Sequence, residues 1–408
     1  MKSPLVAAVA GATLVASVAM AAPASAQQNA GIPTAGSPET VADGLLTPLS
    51  LEVDPGVSYV TQNFTGTLTE VRRHRTTDVY TSAGNEVSAV SSRGHTVYFA
   101  ETAMDHSSAT LMAMNPRGDV WTFADLYQHE NTQNPDGDVT YGFRDLPDSC
   151  VVPPTEGGPE GPVPASYTGI VDTHPYSSLA LPHSIYVADA GANAILRVDD
   201  HGNVTTTAVL PALPLEVTAE GAAGAGFPSC TVGHSYWFEP VPTDVELGPD
   251  GWLYVSLLPG GPEDPSLGAR GAVVKVNPAT GDVEQVAQGF AGATGLAVSV
   301  SGTVYVAELF GGQDGSGQVS VVAPGASTGT PLIALPSPAA IELSKGTLYV
   351  TTNSFVPDEN GAPQPIGEVT AVPLSGHNHA EDAVDPGHLA RWLGAAIRAA
   401  VMNGLFNH

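Results

Sequence analysis

PTDVELGPDGWLYVS (242–256) and, after a loop, GAVVKVNPATGDVEQVAQGF (271–290) form the first copy of a pattern; ATGLAVSVSGTVYVAE (293–308) and GQVSVVAPG (317–325) form the second. Each copy is an apolar run, a glycine-bearing turn, a run centred on a tyrosine, a loop and another β-branched run. Such runs between turns indicate antiparallel strands, and their repetition indicates a unit that stacks on its own copies. Because one four-stranded sheet cannot bury both faces alone, we predict radial stacking, the arrangement of a β-propeller.

The aromatic centre of the second strand recurs along the chain. Six runs carry it, at Tyr59, Tyr98, Tyr186, Tyr254, Tyr305 and Tyr349. We therefore predict an all-β protein, a six-bladed β-propeller. The last copy, around 367–372, has no fourth strand after it, whereas residues 38–45 resemble the fourth-strand segment 282–290. The N-terminal segment is predicted to supply the outer strand of the sixth blade, which closes the ring and removes an open edge.

Both chain ends are predicted to lie outside the propeller. Residues 1–26 have a lysine, an apolar segment and Ala24-Ser25-Ala26, which is typical of a cleaved signal peptide and predicts a secreted protein; a membrane anchor is the weaker reading. The propeller is assigned to 27–374 and a tail to 375–408. Apolar residues at helical spacing between 386 and 403 predict an amphipathic helix that docks on the propeller or, alternatively, binds a partner. That helix contains two arginines and should not span a bilayer.

The charge of the chain narrows its partners. It has 408 residues, with 41 acidic and 13 basic side chains and a formal net charge of −28. Such a field repels nucleic acid and anionic membranes and attracts cations, although solubility alone also explains it. In an oxidising compartment Cys150 and Cys230 are expected to form a disulfide. We expect a monomer whose partner is a small molecule, a glycan or a protein.

The long insertions are expected on one face. They fall between second and third strands or between blades, connections that share one face of a propeller, and the two cysteines sit in the two longest, 130–168 and 212–240. Loops on a rigid frame often carry function, so we place the site on this face; tolerated surface variation is the alternative. Polar or aromatic residues near the channel mouth are the candidates: Glu86, Glu101, His174, Tyr176, Asp189, Asp244, Glu308 and Asn353.

These residues permit several kinds of chemistry. Carboxylates around a channel hold a divalent cation such as calcium, act as general acids and bases, or bond one blade to the next. Asn134, Asp136 and Asp138 alternate like the start of a calcium loop, but no glutamate follows at the twelfth position, so an Asx turn is the alternative. Asp105-His106 is interpreted as a solvated loop tip. Among the motifs sought, GxSxG, HExxH and a phosphate-binding glycine loop are all missing from the sequence.

The segment VADAGANAILRV (187–198), the six tyrosine-centred copies and NPDG (134–137) together resemble the ScyD/ScyE family of exported propellers. They resemble more distantly the NHL-repeat and SMP-30/gluconolactonase-like six-bladed proteins. The resemblance implies a fold rather than a reaction. Where an SMP-30-like lactonase would have a metal-binding glutamate at the opening of the first blade, this chain has Thr47-Pro48-Leu49, which argues against a lactonase.

Three functions stay open from the sequence. The first is a binding or scaffold propeller that uses the loop-bearing face. The second is a metal-dependent hydrolase, lactonase or lyase that acts at the channel mouth. The third is a structural array with a partner docked through the C-terminal helix.

Overall fold

Strands dominate the protein. The computed structural model describes residues 32–154, 165–261, 267–375 and 382–384. The chain begins with β1 (Thr34–Ala35) and β2 (Glu39–Leu45). Sheet 1 follows, with β3 (Leu51–Asp54), β4 (Val57–Gln62), β5 (Thr67–Arg72) and β6 (Arg75–Thr81); a 3-10 helix, Asn63–Thr65, joins β4 to β5. Sheet 2 contains β7 (Glu86–Arg93), β8 (Thr96–Thr102), β9 (Ala109–Met114) and β10 (Val120–Asp125).

The third sheet lies between two insertions. The first contains helix α1 (Leu126–Gln133), β11 (Thr140–Phe143) and β12 (Ser166–Thr168). Sheet 3 contains β13 (Pro175–Leu181), β14 (Ser184–Asp189), β15 (Ala194–Asp199) and β16 (Val204–Val209). The second insertion contains β17 (Leu213–Glu216), helix α2 (Ala219–Gly224), a 3-10 helix (Ser229–Thr231) and β18 (Ser235–Phe238).

Three more sheets complete the chain. Sheet 4 contains β19 (Pro242–Leu247), β20 (Leu253–Leu257), β21 (Gly271–Val276) and β22 (Val283–Phe290). Sheet 5 contains β23 (Ala293–Val298), β24 (Val304–Glu308), β25 (Gln318–Val322) and β26 (Thr330–Ala334). Sheet 6 contains β27 (Ile341–Ser344), β28 (Thr347–Thr352) and β29 (Gly367–Ser375), and both β1 and β2 pair with β29.

The tyrosine that identified each copy lies in the second strand of its sheet. Tyr59 pairs with Glu52, and Tyr254 and Tyr349 hold the same position opposite Glu246 and Glu342. Burial falls outward from these strands: every residue of β14 and β24 is buried, whereas the first four residues of β6 are exposed. This gradient is expected when the inner strands are covered by neighbouring sheets and the outer strands face water.

The six sheets pack against one another in chain order. A hydrophobic cluster lies between each consecutive pair, and another lies between sheet 6 and sheet 1. In that last cluster, Ala42 and Leu45 of β2 join Leu51 and Val60 of sheet 1. The strand β2 pairs antiparallel with β29 in the register Glu39 to Ala371 and Ala42 to Val369. The N-terminal segment is therefore hydrogen-bonded to the strand that precedes the tail.

A further sheet is built from the two insertions, and the sequence pattern did not indicate it. Its strand order is β12-β11-β18-β17, so each insertion contributes a hairpin or pair of strands. Phe143, Tyr236 and Phe238 form its small core. Cys150 and Cys230 form a disulfide across the two insertions, as the sequence predicts. We call this unit the accessory sheet.

The chain ends are described in part. The strand β29 continues to Ser375, one residue into the predicted tail. The main chain at Asp382 and Ala383 is hydrogen-bonded to the turn of sheet 5, where Val300 N donates to Asp382 O at 2.8 Å and Ser299 forms a bridge with Ala383. The predicted signal peptide (1–26) and the predicted helix (386–403) lie outside the described residues. None of the helices in the described part of the chain has the length and apolar character needed to cross a membrane.

Candidate functional site

Two histidines from different connections between strands stack on each other. His106 lies in the loop between β8 and β9, and His174 immediately precedes β13. Their ring centroids are 4.8 Å apart and the planes differ by 17°. Tyr176 stands edge-on to His174, with ring centroids 6.4 Å apart. We call His106 and His174 the histidine pair.

Each ring is held by a carboxylate. His174 Nε2 lies 3.0 Å from Glu86 Oε2, and His106 Nδ1 lies 2.6 Å from Asp172 Oδ1. Asn63 Nδ2 donates to the other oxygen of Glu86 at 2.9 Å. Because each carboxylate accepts from its imidazole, ring orientation and proton position are defined on both histidines.

The carboxylates and the imidazole shift one another's protonation. Burial alone would raise the pKa of Glu86, but the hydrogen bond and charge of His174 outweigh it, and the pKa lies below its usual value. The pKa of Asp172 is likewise lowered by His106 against the opposing effect of burial. Burial disfavours the charged form of His174, yet Glu86 raises its pKa above the usual value. The site therefore favours imidazolium paired with carboxylate.

Exposed apolar side chains come from the loops around this polar centre. Phe64 and Phe355 are 43% and 44% exposed, and their rings meet edge to face with centroids 6.4 Å apart. Phe64 follows Asn63 in the chain, and the Asn63 side chain donates to Glu86, the carboxylate that binds His174. Met104, Ile170 and Val171 are also exposed and lie within two residues of His106 or Asp172 in the chain. We call these five side chains the apolar rim.

A group of buried carboxylates lies next to the histidine pair, and each has at least one oxygen without a hydrogen-bond partner. Asp189 Oδ1 accepts from the main-chain N–H groups of His174 and Ala192, at 2.8 and 3.2 Å, while its Oδ2 has no partner. Asp136 Oδ2 accepts from Tyr141 and Asn193, each at 2.9 Å, while its Oδ1 has none. Both oxygens of Glu130, on α1, have none. We call Glu130, Asp136 and Asp189 the acidic cluster.

The surroundings of the acidic cluster oppose ionisation. Burial, followed by the charges of Asp189 and Asp136, raises the pKa of Glu130 to about 8. Burial raises the pKa of Asp189 to about 6 and also raises the pKa of Asp136. Burial is the largest cause for all three groups, and for Asp189 two main-chain hydrogen bonds and the charge of His174 oppose it only in part.

Four predicted residues lie elsewhere and have structural partners. Asp244 accepts from Ser177 Oγ at 2.6 Å and from Leu296 N at 2.8 Å, which joins sheets 3, 4 and 5. Glu308 accepts from Gln318 Nε2 and Ala291 N, both at 2.8 Å. Glu101 accepts from Asn85 and Tyr80. Asn353 is half-buried at a positive φ of 50°, and its N–H donates to Pro336 O at 2.7 Å. Glu86, His174, Tyr176 and Asp189 are the predicted residues that come together.

The predicted calcium triad is divided. Asp136 and Asn134 each present a buried side-chain oxygen without a partner, whereas Asp138 is exposed. Within residues 32–154, 165–261, 267–375 and 382–384, no group of three His, Cys, Asp or Glu side chains is arranged to hold a metal ion. Thr47, at the position of the lactonase glutamate, is buried and its carbonyl accepts from Asn63 N at 3.1 Å, so it serves the 3-10 turn.

Three glutamates share one level on the first strands. Glu52, Glu246 and Glu342 stand opposite the tyrosines of sheets 1, 4 and 6. Burial, followed by the charge of Asp54, raises the pKa of Glu52 to about 8. Burial and neighbouring carboxylates, Asp244 first for Glu246 and Glu246 first for Glu342, also raise the pKa values of those two well above their usual range. A narrow cavity lies beside this level, lined among others by Ser177, Asp244 and Glu342.

Sequence reasoning missed His106, Asp172, Glu130 and Asn63. The interpretation of His106 as a solvated tip is wrong, because its ring binds Asp172 and stacks on His174. The useful signal was that His106 lies in a loop between second and third strands and Asp172 shortly after the insertion 130–168, in connections predicted to share one face. Glu130 carried no signal, since one glutamate on a polar helix resembles any surface residue.

Comparisons with known proteins concern the fold. No protein-family model matches the sequence, and no curated protein matches it. The chain is similar to the solved structure of a luciferin-regenerating enzyme, with 9% identity, a TM-score of 0.50, and coverage of 86% of this chain and 100% of that chain. It is also similar to a catalytically inactive virginiamycin B lyase from Staphylococcus aureus with quinupristin, with 13% identity, TM-score 0.44, and coverage of 83% and 98%.

The WD40 β-propeller domain of Doa1 matches with 13% identity, a TM-score of 0.42, and coverage of 82% of this chain and 96% of that chain. At such identities a likeness concerns the fold alone, and the ScyD/ScyE resemblance stays a prediction. The solved structures similar to this chain are β-propeller proteins, and the chain itself is an all-β protein of four-stranded antiparallel sheets.

Proposed function

We propose that this protein is a secreted six-bladed β-propeller, closed by β2, that binds a small organic molecule over the histidine pair on its loop-bearing face. The architecture is supported by six sheets with equivalent tyrosines, by clusters between consecutive sheets, and by the pairing of β2 with β29. Secretion is supported by the disulfide and by the signal-like N-terminus.

One observation carries the binding proposal. The stacked, carboxylate-bound histidines form a polar centre, and the apolar rim next to it leaves large apolar side chains in water. Binding sites commonly combine a few fixed polar groups with apolar and aromatic walls. Exposed apolar side chains gathered at one place indicate contact with another molecule.

The charges restrict the ligand class. Glu86 and Asp172 are hydrogen-bonded to ring nitrogens of the imidazoles, and the chain carries a large negative net charge. An anionic ligand would be repelled by this field, whereas a neutral or cationic one would not. The ligand we propose has an aromatic or aliphatic body for the rim and a hydrogen-bonding group for the histidine pair.

A screen of small neutral and cationic aromatic compounds tests this proposal. Thermal-shift hits measured by calorimetry should lose about tenfold or more in affinity in Phe64→Ala and in His106→Ala. Trp121→Ala is the matched control, because Trp121 is 43% exposed but lies on the outer strand β10. Hits whose affinity is unchanged by both rim and histidine substitutions would contradict the site.

A metal-dependent hydrolase, lactonase or lyase is the second candidate. The observation that favours it is the His174 and Glu86 contact of 3.0 Å, the arrangement by which a carboxylate orients a general base. Turnover of aliphatic lactones and aryl esters should be followed with and without calcium, manganese or zinc. Turnover that falls by about a hundredfold or more in His174→Gln supports catalysis; metal-independent background rates in both proteins contradict it.

A further inference from the structure

The buried oxygens of the acidic cluster lack donors in a way that is unusual for a folded protein. Glu130 is 0% exposed, Asp136 1% and Asp189 0%, and together they present four carboxylate oxygens without a hydrogen-bond partner. Asn134 Oδ1 and Thr173 Oγ1, from the same two connections, are also buried without a partner. Buried polar atoms are nearly always satisfied, so six such oxygens in one region require an explanation.

These groups lie close together. The carboxylate of Glu130 is near enough to Asp189, Asp136 and Asp172 to be affected by their charges, and among donors only the main-chain N–H of Asp172 approaches it. Asp136 Oδ1 fits against Gly169, where an added Cβ would stand 2.0 Å from it. Asp172 packs in the same way on Gly191, whose added Cβ would stand 2.9 Å from its carboxyl carbon. Two glycines thus leave room for carboxylates that face a common interior.

The negative charge there is not balanced by protein cations. Among the ion pairs of the described residues, none involves Glu130, Asp136 or Asp189. Asp189 and Asp136 use one oxygen each for structural hydrogen bonds, and their second oxygen is left over. A buried ionised carboxylate without a counter-charge is strongly unfavourable, so either protons or a cation must compensate it.

We infer that Glu130, Asp136 and Asp189, together with Asn134 Oδ1 and Thr173 Oγ1, form a buried binding site for Ca²⁺. The set contains only oxygens, both charged and neutral, which is the chemistry that Ca²⁺ prefers. Since no three carboxylates here are placed to hold an ion alone, the neutral oxygens are needed to complete the shell. The site joins α1 and the start of β13 to the end of β14, so bound Ca²⁺ would fix the first insertion against sheet 3 next to the histidine pair.

Calcium titration of the full-length protein tests the site. Protein is stripped with chelator, dialysed, and titrated with CaCl₂ at pH 8 in about 0.15 M NaCl, which screens weak surface binding. The expected result is one strong site per chain, with affinity reduced more than about tenfold in Glu130→Gln. The matched control Glu220→Gln, an exposed glutamate on α2, should bind as the unmodified protein does.

Terbium provides a readout that does not depend on the variant's folding. Tyr141 donates to Asp136, so Tb³⁺ in the site should show tyrosine-sensitised luminescence that Ca²⁺ displaces and that Tyr141→Phe largely removes. Absence of a strong calcium site in the unmodified protein would overturn the inference, with protons then compensating the cluster. Equal affinity in Glu130→Gln, or Tb³⁺ luminescence that Tyr141→Phe does not change, would overturn it as well.

Discussion

Two sets of buried acidic residues differ in how many of their carboxylate oxygens accept hydrogen bonds. Asp244 and Glu308 each accept from both side chains and main-chain N–H groups, with donors on both oxygens. Asp189 and Asp136 are bonded through one oxygen, and Glu130 through neither. The satisfied carboxylates bond neighbouring strands and sheets, whereas the unsatisfied oxygens make no such bonds. The number of donors therefore distinguishes two groups of carboxylates that residue type does not.

The largest expected effect concerns the satisfied set. Asp244→Ala leaves Ser177 Oγ, Val245 N and Leu296 N without their acceptor inside the protein, so we expect the free energy of unfolding to fall by about 3–4 kcal/mol. Denaturant unfolding measures it, with the exposed Asp43→Ala as control. A loss below about 1 kcal/mol would show that Asp244 is not structural and would weaken the comparison.

Removal of the disulfide tests how much the cross-link between the two insertions stabilises the protein. The Cys150→Ser and Cys230→Ser double variant removes a link between positions 80 residues apart, and we expect a loss of about 2–3 kcal/mol. Hydrogen exchange should increase mainly in β11 and β18 of the accessory sheet. An equal increase in sheets 4 and 5 would mean that the accessory sheet unfolds together with these sheets as one unit.

Glu130→Gln tests the unsatisfied set of carboxylates. At pH 8, the neutral amide removes the charge that Glu130 partly carries beside Asp189 and Asp136. We expect the unfolding free energy to rise by about 1–2 kcal/mol, while Glu220→Gln stays within about 0.5 kcal/mol. Destabilisation of the same size would show that Glu130 already has a satisfying partner.

The smallest expected effect is the contribution of Glu52 to the pH dependence of stability. Its pKa is raised from 4.5 to about 8, first by burial and then by Asp54, so the native state holds a proton that the unfolded state has lost between these values. Stability from this group is therefore present at low pH and declines as pH rises through about 8. A full shift of this size would give a decline of roughly 4 kcal/mol between pH 5 and 8. Because Glu52 is only half-buried and water screens its charge, we expect Glu52→Gln to flatten the decline by about 1 kcal/mol, whereas the exposed Glu39→Gln should leave it unchanged. Parallel stability curves for Glu52→Gln and the unmodified protein would contradict the shift.

Much of the strand arrangement could be predicted from local sequence patterns. The six tyrosines each fall in the second strand of a sheet because a strand covered on both faces demands the apolar, β-branched and aromatic residues that the repeat contains. The disulfide followed from compartment and cysteine number. The accessory sheet was missed, since β11 and β18 are short strands from insertions far apart in the chain, without periodicity to connect them.

The face of the candidate site stays a prediction, and its members were predicted only in part. Glu86, His174, Tyr176 and Asp189 were chosen because they border first and second strands, and they meet. Asp244 and Glu308 were chosen for the same reason, but Asp244 bonds neighbouring sheets and Glu308 bonds within sheet 5 and to the connection before it. His106 and Asp172 are 66 residues apart and come together through two separate connections.

The sequence alone determined the repeated unit, the placement of its insertions and the cysteine pair, because these depend on local hydrophobic periodicity, turn residues and composition. Only the tertiary structure decided which carboxylates are satisfied, which histidines stack and where apolar side chains stay in water. Those properties depend on donors and surfaces supplied from distant parts of the chain, and no local pattern encodes the distance between them.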